Sequence, residues 1–149
     1  QAITWQLSRL SGQDVGWVAS WPDVHEEGWD GDVLRFRHGS PTSVLTYVNS
    51  LAAAREAFAA WPGRVCAVGH THLPAVYASV RAPVGDWVKH QSLSGGGAFP
   101  VPPGARVILN PGSVGQPRDG DPRASYGVYD TVRGLFEVRR VAYDVERTQ

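Results

Sequence analysis

The spacing of apolar residues changes character along the chain. Ile3, Leu7 and Leu10, then Val15, Val18 and Trp21, recur three to four residues apart, the period of amphipathic helix. Residues 2–21 are therefore expected to form one or two short helices, with Ser11 or Asp14 as a cap for the second. Residues 22–32, PDVHEEGWDGD, are turn-rich and interrupt the pattern. Residues 33–37 read as a strand that delivers His38. After Gly39-Ser40-Pro41, residues 42–60 carry the strongest helical signal: Leu45, Val48, Leu51, Ala52 and Phe58 form a stripe, and Thr42 or Ser43 suits the N-cap. Short apolar runs then follow at 64–68, 75–81, 86–91 and 105–110, each the length of a strand, and 125–130 with 134–143 forms a final hairpin turning at Val132–Gly134. Between them, SLSGGGAFPVPPG reads as a loop, and residues 111–123, with three Gly and three Pro, fit neither helix nor strand. Helices, a strand, a helix and then mainly strands place the chain in the α/β or α+β class.

Composition narrows the functions available. A chain of 149 residues with 42% hydrophobic and 19% charged residues can bury a core as one domain. Its formal net charge of zero gives no electrostatic basis for nucleic acid or a membrane surface as partner. No apolar run approaches the roughly 20 residues of a membrane span. Cys66 is the single cysteine, so an internal disulfide is excluded, and a lone thiol fits a reducing cytoplasm. Trp5, Trp17 and Trp21 have helical spacing and are expected in a core or an interface, which is compatible with a homodimer.

The chemistry-bearing pattern is the histidines. The run RVCAVGHTHLPAVY ends a buried strand in Gly69 and places His70 and His72 at alternate positions; His38 stands in a similar setting at the end of VLRFRHGSP. On an extended backbone, residues i and i+2 point to one side. If the two strands are neighbours, three imidazoles converge on one sheet edge, a donor set for Zn²⁺, Mn²⁺, Fe or Ni. The alternative is a capping or surface pair without a metal.

The order HGSP, GHTH, NPGSVGQPR and then a short strand ending in Tyr-Asp resembles the C-terminal portion of the calcineurin-like metallophosphoesterases, in particular their small prokaryotic phosphodiesterase branch, from about residue 34 to 145. That resemblance implies a fold of two mixed β-sheets flanked by helices. It also implies two divalent ions (Mn, Fe, Zn, Ni or Mg), bridged by a carboxylate and a water or hydroxide that attacks a small-molecule phosphate ester, a phosphodiester in particular. By the same resemblance His38 and His70 ligate one ion and His72 the other. The family's remaining ligands lie in an N-terminal half, as a D-x-H, a Gly-Asp and a Gly-Asn-His that carries the general-acid histidine. No Gly-Asn-His occurs here; Asp23-Val24-His25 with Gly31-Asp32, and Gly85-Asp86, are expected to be decoys, and His90 a surface strand residue. Residues 1–149 are thus expected to be the C-terminal part of one metallophosphoesterase domain, with no catalytic residue of its own, requiring a complementary N-terminal segment. The rival expectation is a non-catalytic metal- or anion-binding or structural fragment.

The loop after Asn110 offers further candidates. Gly112, Ser113 and Gly115 could present N–H groups to an anion, and Arg118 or Arg123 could reach a phosphate. A purely structural turn fits the same residues. A third reading has the loop support GHTH from behind, with Asn110 as hydrogen-bond partner of a metal-bound histidine. Asp119 and Asp121 are expected to be solvated turn residues.

Overall fold

A computed structural model describes residues 2–148. Their helices and strands follow in the order α1 (Ala2–Arg9), α2 (Gly12–Ala19), β1 (Val24–Trp29), β2 (Asp32–Arg37), α3 (Leu51–Ala60), β3 (Val65–Ala67), β4 (Ala75–Val80), β5 (Trp87–Ser92), β6 (Gly97–Pro100), β7 (Arg106–Asn110), β8 (Ala124–Asp130) and β9 (Leu135–Val141). The strands make a six-stranded sheet in the order β1-β2-β3-β7-β4-β5 and a three-stranded sheet in the order β6-β9-β8. In the larger sheet β2, β3 and β7 run parallel, and the flanking strands are antiparallel. The mixed α/β class with two sheets is the one the sequence implies.

The central strands are apolar on both faces because both faces are covered. Along β4, Ala75 and Tyr77 join a cluster with Ala54, Ala57 and Phe58 of α3, whereas Val76 and Ala78 join one with Phe136 and Val138 of β9. Along β7 the same alternation sends Ile108 to the α3 side and Val107 and Leu109 to the β9 side. A continuous run such as RVILN is what a doubly covered strand requires. Arg106 ties the layers together, donating from Nε to the Gly63 carbonyl and from Nη2 to the carbonyls of Phe58 and Trp61. A guanidinium there satisfies carbonyls left open at the end of α3.

Several elements differ from their sequence signal. Residues 22–32 hold a strand: β1 pairs antiparallel with β2 around Asp30-Gly31, both at positive φ. Its residues are mostly exposed on a sheet edge, so VHEEGW lacks the apolar alternation of a half-buried strand. The helix expected over 42–60 is confined to Leu51–Ala60 and capped by Ser50, whose side chain accepts from the Ala53 N–H. Residues 42–50 are an irregular connection in which Leu45 is exposed and Val48 buried. The glycine-rich stretch SLSGGGAFPVPPG, expected to be a loop, contains β6 as the edge of the smaller sheet. The two N-terminal helices form as expected, with Ser11 and Asp14 closing a reciprocal capping box. Trp5, Trp17 and Trp21 are not core residues; each is more than half exposed, and Trp17 meets Trp21 edge to face at 4.8 Å.

Candidate metal centre

The site is assembled where three parallel strands end. His38 follows β2 directly, His70 lies three residues beyond β3, and Asn110 is the last residue of β7. Open α/β sheets place their ligands outside the carboxyl ends of parallel strands. The Gly69 N–H donates to the His38 carbonyl at 2.8 Å, and the Val68 N–H to the Leu109 carbonyl at 2.8 Å, carrying the pairing past the regular strands. That register brings the two imidazoles together: His70 Nδ1 and His38 Nε2 are 2.8 Å apart and share one proton, one ring donating and the other accepting.

The local backbone is not the extended one that i, i+2 spacing suggests. His70 has φ +64° and His72 φ +60°, both left-handed. The Thr71 N–H donates to the Gly69 carbonyl at 2.7 Å, closing a γ-turn centred on His70. Non-glycine residues in this region cost roughly 1–3 kcal/mol each and persist only where the surroundings enforce them. Asn110 does the enforcing. It is 2% exposed; Nδ2 donates to the Gly69 carbonyl (2.8 Å) and Thr71 Oγ1 (2.9 Å), and Oδ1 accepts from the Gly112 N–H (2.9 Å). Asn110 thus supports the GHTH loop from behind, through its backbone and Thr71 rather than through a histidine ring. Gly69 itself is not at positive φ, and a Cβ there would meet only ordinary contacts, the nearest at 3.5 Å from the His38 carbonyl.

The histidine-to-backbone contact comes from elsewhere. His72 Nδ1 donates to the Gln116 carbonyl at 2.8 Å, which fixes its tautomer and leaves Nε2 as the nitrogen for a metal. The loop that presents Gln116 is held by the Ser125 N–H on the Ser113 carbonyl (2.9 Å) and by the Gln116 N–H on Ser113 Oγ (2.9 Å). The Arg118 guanidinium is exposed and bonds Gln116 Oε1 at 3.1 Å. Arg123 instead forks onto Asp121 through Nε and Nη2, and the Gly112 N–H is taken by Asn110. Asp119 is no solvated turn residue: its side chain is 1% exposed and paired with Arg140, itself 2% exposed. Asp121 is likewise shielded, with Arg123 and Arg140 as its ion partners.

Two contacts escaped the sequence. Tyr47 stacks on His70, ring centroids 3.8 Å apart and planes 23° from parallel. Its position within residues 42–60, read from the sequence as one helix, masks that role. The Gln116 acceptor is a backbone carbonyl, for which side-chain chemistry gives no signal. The histidines expected to be decoys have other partners: His25 lies on β1 bonded to Glu27 Oε1 at 2.7 Å, and His90 on β5 lies against Tyr77, centroids 4.8 Å apart.

The pair suits a cation. Burial pushes the His38 imidazole below its ordinary pKa, and His70 and His72 push it the same way. That direction favours the neutral imidazole, the form in which histidine binds a metal. Two imidazole nitrogens on one ion at about 2.0–2.1 Å sit roughly 3 Å apart, close to the observed 2.8 Å. An ion can therefore take the place of the shared proton at nearly the same separation of the two nitrogens. The set is incomplete: among the described residues no three His, Cys, Asp or Glu side chains are grouped to hold a metal, and His72 stands outside the pair.

The same residues lie within a recognisable family pattern. The calcineurin-like phosphoesterase superfamily domain matches residues 11–134. The chain is 28% identical over 146 residues to the uncharacterized protein MJ0912 of Methanocaldococcus jannaschii, covering 98% of this chain and 56% of that protein. The crystal structure of a metallophosphoesterase from Sphaerobacter thermophilus matches with a TM-score of 0.75 and 33% identity over 97% of this chain and 58% of that one. The chain thus spans a little over half the length of both relatives. No helix among the described residues is long and apolar enough to cross a membrane. With most of its residues inside the family match and a two-sheet fold shared with a solved metallophosphoesterase, the chain belongs to the calcineurin-like phosphoesterase superfamily.

Proposed function

We propose that this chain is the histidine-bearing part of a metal-dependent phosphoesterase acting on small phosphate esters, phosphodiesters in particular. The observation that carries the reading is the 2.8 Å approach of His38 Nε2 and His70 Nδ1 at the ends of adjacent parallel strands. His38 and His70 would hold one divalent ion, and His72, through Nε2, a second. Bound ions would supply Lewis-acid activation of the phosphoryl group and of the attacking water. The chain's own contribution is to hold neutral imidazoles in place: Asn110 fixes the loop, Gln116 fixes the His72 tautomer. Ser113 and Arg118, on the loop beside His72, are the candidate contacts to the substrate phosphate, with Arg118 the more accessible.

Three imidazoles leave the charge of two divalent ions uncompensated, so the acidic and general-acid groups must come from outside this histidine set. This chain covers 56% of one relative and 58% of the other, so a substantial further stretch of each lies outside the match. The exposed apolar side chains of α1 and α2 offer a face against which a complementary segment, or a second copy in a homodimer, would pack. The test is hydrolysis of bis(p-nitrophenyl) phosphate with Mn²⁺. The assay compares the 149-residue chain alone with the chain mixed with a polypeptide covering the part of the Sphaerobacter thermophilus protein that it does not span. Activity confined to the mixture, and abolished by His70→Ala, is expected. Full activity of the isolated chain would refute the requirement for a complement, and an inactive mixture that has taken up metal would favour a non-catalytic metal-binding role.

A further inference from the structure

The stretch between HGSP and α3 is shaped by an unusual set of constraints for an irregular connection. Gly39 and Ser40 are buried. A Cβ at Gly39 would lie 2.6 Å from the Ser43 carbonyl oxygen and from the Val44 backbone, so the chain closes here only because residue 39 has no side chain. The Ser40 N–H donates to the Ser43 carbonyl at 2.7 Å, and Ser40 Oγ accepts from the Ser43 N–H at 3.0 Å. This tight turn sends residues 44–47 back across the strand ends. Its product is the Tyr47 ring laid on the His70 imidazole.

Burial alone does not account for that placement. Tyr47 is 44% exposed, so little of its surface goes into a core. The face it does cover is the face of His70. A hydrogen bond at Nδ1 fixes one atom of an imidazole and leaves the ring free to swing about that point. A parallel ring 3.8 Å away removes the swing. The two contacts are complementary: His38 fixes the edge of His70 and Tyr47 fixes its plane.

We infer that Tyr47 is a positioning residue, holding the His70 ring in the orientation in which Nδ1 meets His38 Nε2 and so setting the affinity of the pair for a divalent ion. The inference rests on the reading of His38 and His70 as metal ligands. It assigns a use to the turn at Gly39-Ser40-Pro41 beyond the burial of Pro41 and of Val48 that the same segment achieves.

The experiment compares the 149-residue chain with Tyr47→Phe, Tyr47→Leu and Tyr47→Ala variants. Zn²⁺ affinity is measured by calorimetry, and the His70 ring protons are followed by NMR without metal. Partners that orient a metal-bound histidine commonly control affinity by roughly 10–100-fold. Tyr47→Ala and Tyr47→Leu are expected to weaken Zn²⁺ binding about 10-fold or more and to move the His70 ring protons away from their stacked, upfield positions. Tyr47→Phe is expected to preserve both. Tyr47→Leu keeps an apolar side chain and separates loss of the flat ring from loss of bulk. Equal affinities across the series would overturn the inference alone. Phenylalanine binding as weakly as alanine would also overturn it, since the role would then belong to the hydroxyl. A wild-type chain that takes up no Zn²⁺ would overturn the metal reading and this inference with it.

Discussion

Replacing Asn110 by alanine removes three hydrogen bonds from beneath the candidate centre at once: two donated by Nδ2 to the Gly69 carbonyl and Thr71 Oγ1, and one accepted by Oδ1 from the Gly112 N–H. The side chain is fully enclosed, so water does not replace the lost partners. At about 1 kcal/mol for each bond, the expected loss of stability is about 3 kcal/mol. In a domain of this size that corresponds to a fall in Tm of roughly 6–12 °C. The local consequence is larger than the global one. The same bonds hold Gly69 and Thr71 on either side of His70, whose φ of +64° is otherwise unfavourable. Freed from Asn110, the His70 backbone is expected to relax and the His38–His70 contact to open, lowering Zn²⁺ affinity about 10-fold or more, measured well below the melting temperature. Asn110→Asp keeps the shape but sets acceptors against the Gly69 carbonyl, and should cost at least as much. Urea denaturation and Zn²⁺ titration of both variants check the reasoning. A stability loss under about 1 kcal/mol, or an unchanged metal affinity, would refute it.

The Arg140–Asp119 pair, almost wholly buried, should behave as a coupled unit. Arg140→Met alone is expected to cost about 3–5 kcal/mol because it strands a buried carboxylate, and adding Asp119→Leu should recover most of that in urea denaturation; equal losses for single and double variants would contradict the coupling. Hydrogen bonds from Arg123 hold the Asp121 carboxyl down to about 2, from a usual 3.8. A folded pKa below the unfolded one means that its stabilising contribution is complete above pH 3.8 and lost as pH falls through about 2. A carboxyl carbon titrating by NMR with a midpoint near 2 is expected, and one at the usual value would refute the clamp. Burial, the main cause, pushes the Cys66 thiol up to about 12. The native chain should therefore resist iodoacetamide until it unfolds; rapid labelling under native conditions would place Cys66 differently.

How far the sequence could be read depended on whether a residue's environment is local. β4 and β7 announced themselves because both faces are covered and their central positions, Ala75–Ala78 and Val107–Leu109, are continuously apolar. β1 did not, because an exposed edge strand needs no apolar alternation and Glu26 and Glu27 fit it well. The stripe over 42–60 merged two structures, since Val48 is buried from an irregular segment and Phe58 from α3, at spacings that happen to match one helix. At the candidate site, sequence order and motif singled out His38, His70 and His72, and the structure brings the first two into contact. The reason given by spacing was wrong: the backbone at His70 and His72 is left-handed, a conformation enforced by Asn110 from another strand. Tyr47, Gln116 and the Asp119–Arg140 pair act through contacts 21 to 44 residues apart in the chain or through a turn that periodicity hides.

The claim on which the rest depends is that His38 and His70 together take one divalent ion. The most direct test is a Zn²⁺ titration of the ¹⁵N-labelled chain followed through the imidazole nitrogens. The account predicts that His38 Nε2 and His70 Nδ1 shift together as their shared proton is lost, while His25 and His90 stay where they are. A shared proton that survives saturation with Zn²⁺, or a response confined to His25 or His90, would contradict it.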